Sequence, residues 1–309
     1  MYMQSLNKIS FLVCMIGFLF PGYLICQPMN ADDDKILNMI YSKSILPKVD
    51  YRDAMASIEI WSKEILKEIY SEYSLNNIFI EGIDHVDEIY INDKASFVIL
   101  TALEYITNQD KLNNLIPTLL SSDDDGLVGI EYVLLVHKSS GINSLRDLKN
   151  KTISFVDDYS NAVPHLWLDV QLKSEGLPTS DKFFKQIIIS STANQAVLKT
   201  FFGQVDVCII PKKLLSTTFI LNPQLESDLK ILQQSDPFIA GVFCANKKVS
   251  DNIKKDFIKS ARIAMNTERG KQIALFFRTK ELHEFQVAYL DNIKNLINRA
   301  NNLNVKIIY

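Results

Sequence analysis

Glycine is scarce in this chain, with 10 residues in 309, and none falls in a GxGxxG, P-loop or GxSxG arrangement. Nucleotide cradles and serine-hydrolase elbows need those glycines at fixed offsets, so neither chemistry has a foundation here. Cysteine is equally thin. The four present include no CxxC pair, which argues against redox and zinc-ribbon readings. The histidines His85, His137, His165 and His283 show no HxH or HxxxH spacing, so surface or packed imidazoles fit them better than metal ligands. Charge of one sign is lacking too. The net value is −3 and no basic stripe recurs at groove-reading spacing, so no nucleic-acid partner is expected. Asp123, Asp124 and Asp125 precede Gly126 without the ligand spacing of a calcium loop, and they read as a solvated turn. No repeat or low-complexity stretch occurs, no cofactor is expected, and nothing assembles a nucleophile, a base and an oxyanion site.

What is present is a globular composition, 47% apolar and 10% aromatic, in a chain long enough for two domains. Residues 1–26 read as a secretory signal peptide. Lys8 precedes the apolar run Ile9–Phe20, Pro21 and Gly22 break it, and a polar segment follows. An uncleaved anchor is the rival, since Ile9 to Cys26 almost suffices to span a bilayer. Lipidation of Cys26 is a third reading, against which bulky Ile25 stands. Beyond this segment only Cys208 and Cys244 remain, and their apolar settings favour buried free thiols over a disulfide.

The most ordered stretch runs from Tyr132 to Ile210. An apolar run, Tyr132–Val136, leads through a polar turn and a short amphipathic segment to the strand-like Thr152–Val156. A polar loop, Asp157–Ala162, and a helix through Trp167 and Leu172 follow. Ala196–Gly203 then precedes the strand Val205–Ile210. Strands alternating with helices predict an α/β fold with parallel pairing, whose ligands gather where strand ends meet helix N-termini.

Upstream, Leu37–Tyr41, Asn77–Ile80 and Ala95–Leu100 read as strands. Asp50 is placed to cap a helix whose buried face is Ala54, Ile58, Trp61, Ile65 and Ile69. Leu103 to Asn114 reads as helical. Tyr132–Val136 and Ile239–Ala245 are the two runs expected to cross between lobes. Lobe I is then discontinuous, residues 36–135 plus 240–285, with lobe II at 136–239 and a hinge between them. The tail, residues 286–309, carries Val287, Leu290, Ile293, Leu296 and Ile297 at helical spacing and is expected to pack on lobe I.

Several of these segments resemble one family. Ser140–Lys149, Phe201–Asp206, Leu221–Leu225, and Asp50–Ala54 leading into Trp61 resemble the phosphate/phosphite/phosphonate class of ABC-transporter substrate-binding proteins. The resemblance spans roughly residues 40 to 285 and rests on order and spacing. It implies a two-lobed, type 2 periplasmic-binding-protein architecture with mixed, mostly parallel sheets and a hinge of two crossing strands. It also implies an exported monomer that captures a small anionic ligand for a separate permease and ATPase in the membrane. A ligand sensor reporting to a separate membrane protein is the first alternative, and an enzyme on the same scaffold the second.

Candidate ligand residues follow from helix starts and strand ends. Ser160 and Asn161 open the helix through Trp167, where free N–H groups and the helix dipole favour an anion, although plain capping suits them as well. The resembled family commonly has Ser-Thr-Ser-Gly here. This chain has Ser160, Asn161, Ala162 and Val163, which supply fewer donors. His165 follows in the same helix. Ser191 and Asn194 lie at a second helix start, where relatives often place a histidine. Asp206 falls on the family's Gly-x-x-Asp pattern, where the acid can meet an amino group, and a structural hydrogen bond is its equal alternative. On lobe I the candidates are Thr101, Tyr105 and Tyr132, with Glu104 beside them and Ser42 and Ser44 weaker.

Overall fold

A computed structural model describes residues 35–46, 51–68, 73–123, 126–156, 162–277 and 279–308. The expected cap Asp50, the helix position Ile69 and the turn residues Asp124 and Asp125 lie outside these residues, as does the whole of 1–34. The first part of the chain contains β1 (Ile36–Ser42), α1 (Tyr51–Glu68), β2 (Ser74–Ile80), α2 (Glu88–Asp93), β3 (Phe97–Thr101), α3 (Ala102–Thr107) and β4 (Leu115–Ser121). The middle contains β5 (Tyr132–His137), β6 (Thr152–Val156), α4 (Ala162–Ser174), α5 (Ser180–Phe183), β7 (Gln186–Ser190) and α6 (Ala193–Phe201). It continues with β8 (Val207–Pro211), α7 (Lys212–Leu221), α8 (Pro223–Asp228) and β9 (Leu229–Gln234). The last part is β10 (Gly241–Asn246), α9 (Asp251–Asn266), α10 (Glu268–Phe276), β11 (Leu282–Glu284) and α11 (Asp291–Asn302).

Two sheets result. The first has six strands in the order β11-β4-β10-β3-β1-β2, the second five in the order β7-β6-β8-β5-β9. The pairs β1–β2, β1–β3, β6–β7 and β6–β8 are parallel. Those made by β10, by β5, and by β11 with β4 are antiparallel. The sheets are therefore mixed, as expected, but not mostly parallel. A strand entering each sheet directly after a crossing arrives from the opposite side and so runs against its neighbours.

The apolar runs read as buried strands are buried on both faces. In β5, Leu134 and Val136 join the core between the sheet and α4, while Val133 and Leu135 join the core under α6 and α7. In β3, Val98 and Leu100 face one core and Phe97 the other, against Met39, Ile65 and Phe257. Period-two alternation thus divides one continuous apolar run between two layers. In α1, Ala54, Ile58 and Ile65 are buried and Trp61 packs against them, as the three- and four-residue spacing predicts.

Three further expectations change. The helix expected from Leu103 to Asn114 stops at Thr107, capped at Asn108, because Leu115 begins β4. Pro117 disguised that strand. It is tolerated because the β10–β4 ladder shifts register at Phe243 and Cys244, opposite Pro117. The two runs expected to cross between lobes lie inside the sheets. Tyr132–Val136 is paired on both edges within the second sheet, and Gly241–Asn246 lies within the first. The chain changes sheets between Ser121 and Tyr132 and again between Gln234 and Gly241. There Ile130 and Phe238 exchange N–H···O bonds of 2.7 and 3.0 Å. Gly129 holds φ +95° in this crossing, and a Cβ there would lie 3.1 Å from Pro237. Finally, α11 packs chiefly on α4 and also on α3, rather than on the first sheet's layer alone. Asn292 donates to Pro237 O at 2.9 Å, which ties this helix to the second crossing.

The thiols of Cys208 and Cys244 are free and buried in separate cores. Burial pushes Cys208 up to about 12 and raises Cys244 as well, so neither offers a thiolate. Among the described residues no helix is long and apolar enough to cross a membrane, and no cluster of metal-ligating side chains occurs.

Candidate ligand cleft

Ligands of open α/β sheets sit beyond the carboxyl ends of strands. In the first sheet those ends are Ser42 of β1 and Thr101 of β3, and both lead to one carboxylate. Glu104 is 1% exposed. Its Oε1 accepts from Ser42 Oγ at 2.7 Å and from Ile83 N at 3.4 Å. Its Oε2 accepts from Thr101 N and Thr101 Oγ1, each at 3.0 Å, and Thr101 Oγ1 in turn accepts from Glu104 N at 3.1 Å. This is a capping box with an added serine. Both hydroxyl protons are thereby committed inward, and Ala102 N is committed to Ala240 O at 3.0 Å. At the start of α3 the N–H groups of Ala102 and Glu104 and the hydroxyl of Thr101 are therefore all engaged. Ser42 is fully buried, and Ser44 uses its N–H on Ser42 Oγ.

The tyrosines on this side are core residues. Tyr105 is 9% exposed, and burial raises its hydroxyl pKa, partly offset by Gln109. Tyr132 is 3% exposed, and its backbone exchanges bonds of 2.8 Å with the side chain and the N–H of Ser235.

The corresponding edge of the second sheet is more open. Ser160 and Asn161 lie outside the described residues, so their expected role stands where the sequence left it. Just past them, Pro164 occupies the first turn of α4, where the missing N–H has no intrahelical partner to lose. His165 stacks on Phe155 of β6, with centroids 3.5 Å apart and planes 6° apart. Burial lowers its pKa to about 4, so at neutral pH it carries an N–H but no charge.

At the end of β7, Thr192 Oγ1 caps α6 by accepting from Gln195 N at 3.1 Å, and Gln195 Oε1 accepts from Ser191 N at 2.8 Å. Ser191 and Asn194 are exposed there. Ser190 below them is buried, shares a 2.8 Å bond with Ser154 Oγ, and accepts from Lys199 Nζ at 3.2 Å. No sequence signal singles out Lys199. A single lysine on an amphipathic helix normally marks a solvated face, and only the fold turns this one under the Ser190–Thr192 loop.

Asp206 does not join this group. Its Oδ2 accepts from Thr152 N at 2.8 Å, its own N–H donates to Thr152 O at 3.0 Å, and Lys151 Nζ lies 3.6 Å from Oδ1. It therefore pins the start of β6, whereas Ser191 and His165 lie near strand ends roughly 13 Å along. The structural hydrogen bond is the role its surroundings fit.

The sequence matches, over residues 44–289, the family described as ABC transporter, phosphonate, periplasmic substrate-binding protein. No curated protein matches the chain. Among solved structures, XAC2383 from Xanthomonas citri bound to ATP superposes with a TM-score of 0.60 at 12% identity, covering 87% of this chain and 98% of that one. A binding-protein component of an ABC phosphonate transporter from Pseudomonas aeruginosa gives 0.57 at 15% identity, covering 87% of each chain. PhnD1 from Prochlorococcus marinus, in complex with methylphosphonate, gives 0.55 at 17%, covering 88% of this chain and 99% of that one. At such identities the likeness shows the fold.

Proposed function

The chain belongs to the phosphonate family of periplasmic substrate-binding proteins of ABC transporters, and we propose that it captures a small phosphonate- or phosphate-like anion between its two sheets. The family is one of transport proteins, and the partners it implies are membrane subunits of an ABC system. In this reading the protein is an exported monomer, the apolar run at Ile9–Phe20 serving export, and closure about the crossings at Ile130 and Phe238 presents the complex to a permease.

The observation that supports the reading is the open start of α6. Ser191 and Asn194 are exposed beside N–H groups of its first turn, with the Lys199 ammonium beneath them. Hydroxyl, amide and helix-terminal N–H groups neutralise an anion without covalent or metal chemistry, so release stays possible. Ser160 and Asn161, which precede α4 in the sequence, belong to the same proposal. The first sheet contributes shape more than donors, because the protons of Ser42 and Thr101 are directed to Glu104. Neutral His165 adds a donor and no charge.

The test is calorimetric titration of the purified protein with methylphosphonate, phosphite, phosphate and methanesulfonate. Micromolar or tighter binding of one phosphorus anion, weakened in Ser191→Ala and Lys199→Met, is the expected result. Binding of none of these anions would end the proposal. Capture without restored uptake in a deletion strain would favour the sensor.

A further inference from the structure

The outer face of the first sheet is covered by α1, α9 and α10, and the packing there leaves a partly open pocket of about 170 Å³. Its walls include Ile99, Phe243, Met265 and Ile273, together with Tyr41 and Trp61. The pocket is partly open to solvent and its lining, mostly aliphatic and aromatic, also includes Ser121 and Thr279; its volume suits a ring-sized guest, since about 150 Å³ holds a benzene.

Two of the lining residues carry donors without acceptors. Tyr41 Oη and Trp61 Nε1 are both buried and make no hydrogen bond with the described residues. Native interiors rarely keep such groups unpaired, and two around one void point to something that supplies an acceptor. Ser62 acts on the Tyr41 hydroxyl and offsets part of the burial effect, while its own proton goes to Asn77 Oδ1 at 3.0 Å. Burial raises the Tyr41 hydroxyl pKa, so it stays a donor.

We propose that this cavity is a second binding site, for a neutral, ring-sized molecule with an apolar body and one carbonyl oxygen that accepts from Tyr41 and Trp61. None of the residues proposed for the anion lines it, so the two proposals stand or fall separately.

Titration calorimetry with acetophenone and with α-methylstyrene, which has the same shape but a CH₂ in place of the oxygen, tests it on the full chain. Acetophenone should bind about tenfold more tightly, the discrimination expected of one buried hydrogen bond. Tyr41→Phe should reduce that preference to within about threefold while leaving α-methylstyrene binding unchanged. Ala274→Leu places three more carbons at the wall on a helix that accepts leucine well, and should abolish binding of both. No binding of either compound, equal binding by the wild type, or undiminished binding in a folded Ala274→Leu would each overturn the proposal. Should Ala274→Leu fail to fold, Tyr41→Phe decides alone: an unchanged preference for the ketone overturns it.

Discussion

The carboxyl edges of the two sheets are assembled from the same parts, a strand end with a hydroxyl followed by a capped helix, yet they finish differently. At the first, Glu104 draws in the protons of Ser42 and Thr101 and the N–H groups of Ile83 and Thr101, so its hydroxyls are turned inward. At the second, Thr192 and Gln195 satisfy only part of the α6 start, and Ser191 and Asn194 remain exposed. A capping residue therefore says little about ligands until its partners are known. The same hydroxyl is a donor to solvent when its helix start is open, and a structural acceptor when a buried acid claims its proton.

Removing the acid should have the largest effect on this contrast. Glu104→Ala leaves buried donors of Ser42, Ile83 and Thr101 without acceptors. It should lower unfolding stability by about 3–5 kcal/mol, read as an earlier urea midpoint at unchanged slope. A change below about 1 kcal/mol would mean that this edge is not held as described.

The next effect is a pH dependence at the second edge. His165 has a folded-state pKa of about 4, below its ordinary value of 6.5, because burial disfavours the charged ring. The unfolded chain therefore binds more protons between those values. The stabilisation is complete above about pH 6.5 and is lost as pH falls toward 4, on the order of 2 kcal/mol after allowance for partial exposure. His165→Phe keeps the stack on Phe155 and should remove this slope. Parallel wild-type and variant profiles from pH 7 to 4 would refute the buried neutral ring.

Asp206 offers a smaller, sharper test. Asp206→Ala frees Thr152 N and should destabilise by about 1 kcal/mol, with anion affinity held within about twofold. A tenfold loss of affinity at unchanged stability would return this acid to the ligand. Smallest of all, Ser191→Ala and Asn194→Ala should each weaken a bound anion by about three- to tenfold with no shift in the melting temperature of the empty protein, since both side chains are exposed. If Thr101→Val weakened the anion more than either, the assignment of open and closed edges would be reversed.

Legibility followed the physics of each element. The runs in β3, β5 and β8 were readable because a strand buried on both faces must be apolar at every position, and α1 was readable from its spaced apolar face. β4 was not, since Pro117 argues against a strand until a register shift accommodates it. The crossings were misplaced for a related reason. Apolar runs attract attention, whereas the connections are short segments whose position depends on where the sheets end. In the candidate cleft, sequence pattern placed Ser191 and Asn194 at a helix start, and α6 begins there. It gave no sign of Lys199, whose approach to Ser190 depends on how α6 lies across the sheet, nor of which strand end Asp206 faces.

The amino-acid sequence by itself determined the alternation of strand and helix, the two-lobed class and the family. All of these rest on local periodicity and on the order of short segments. Only the tertiary structure decided which hydroxyls keep a proton for a ligand, which acid is a strap and which a neighbour, and where a cavity with unpaired donors opens. Those outcomes depend on groups far apart in the chain, as Ser42 and Glu104 or Asp206 and Thr152 are, and hydrogen-bond direction is settled only when such partners meet.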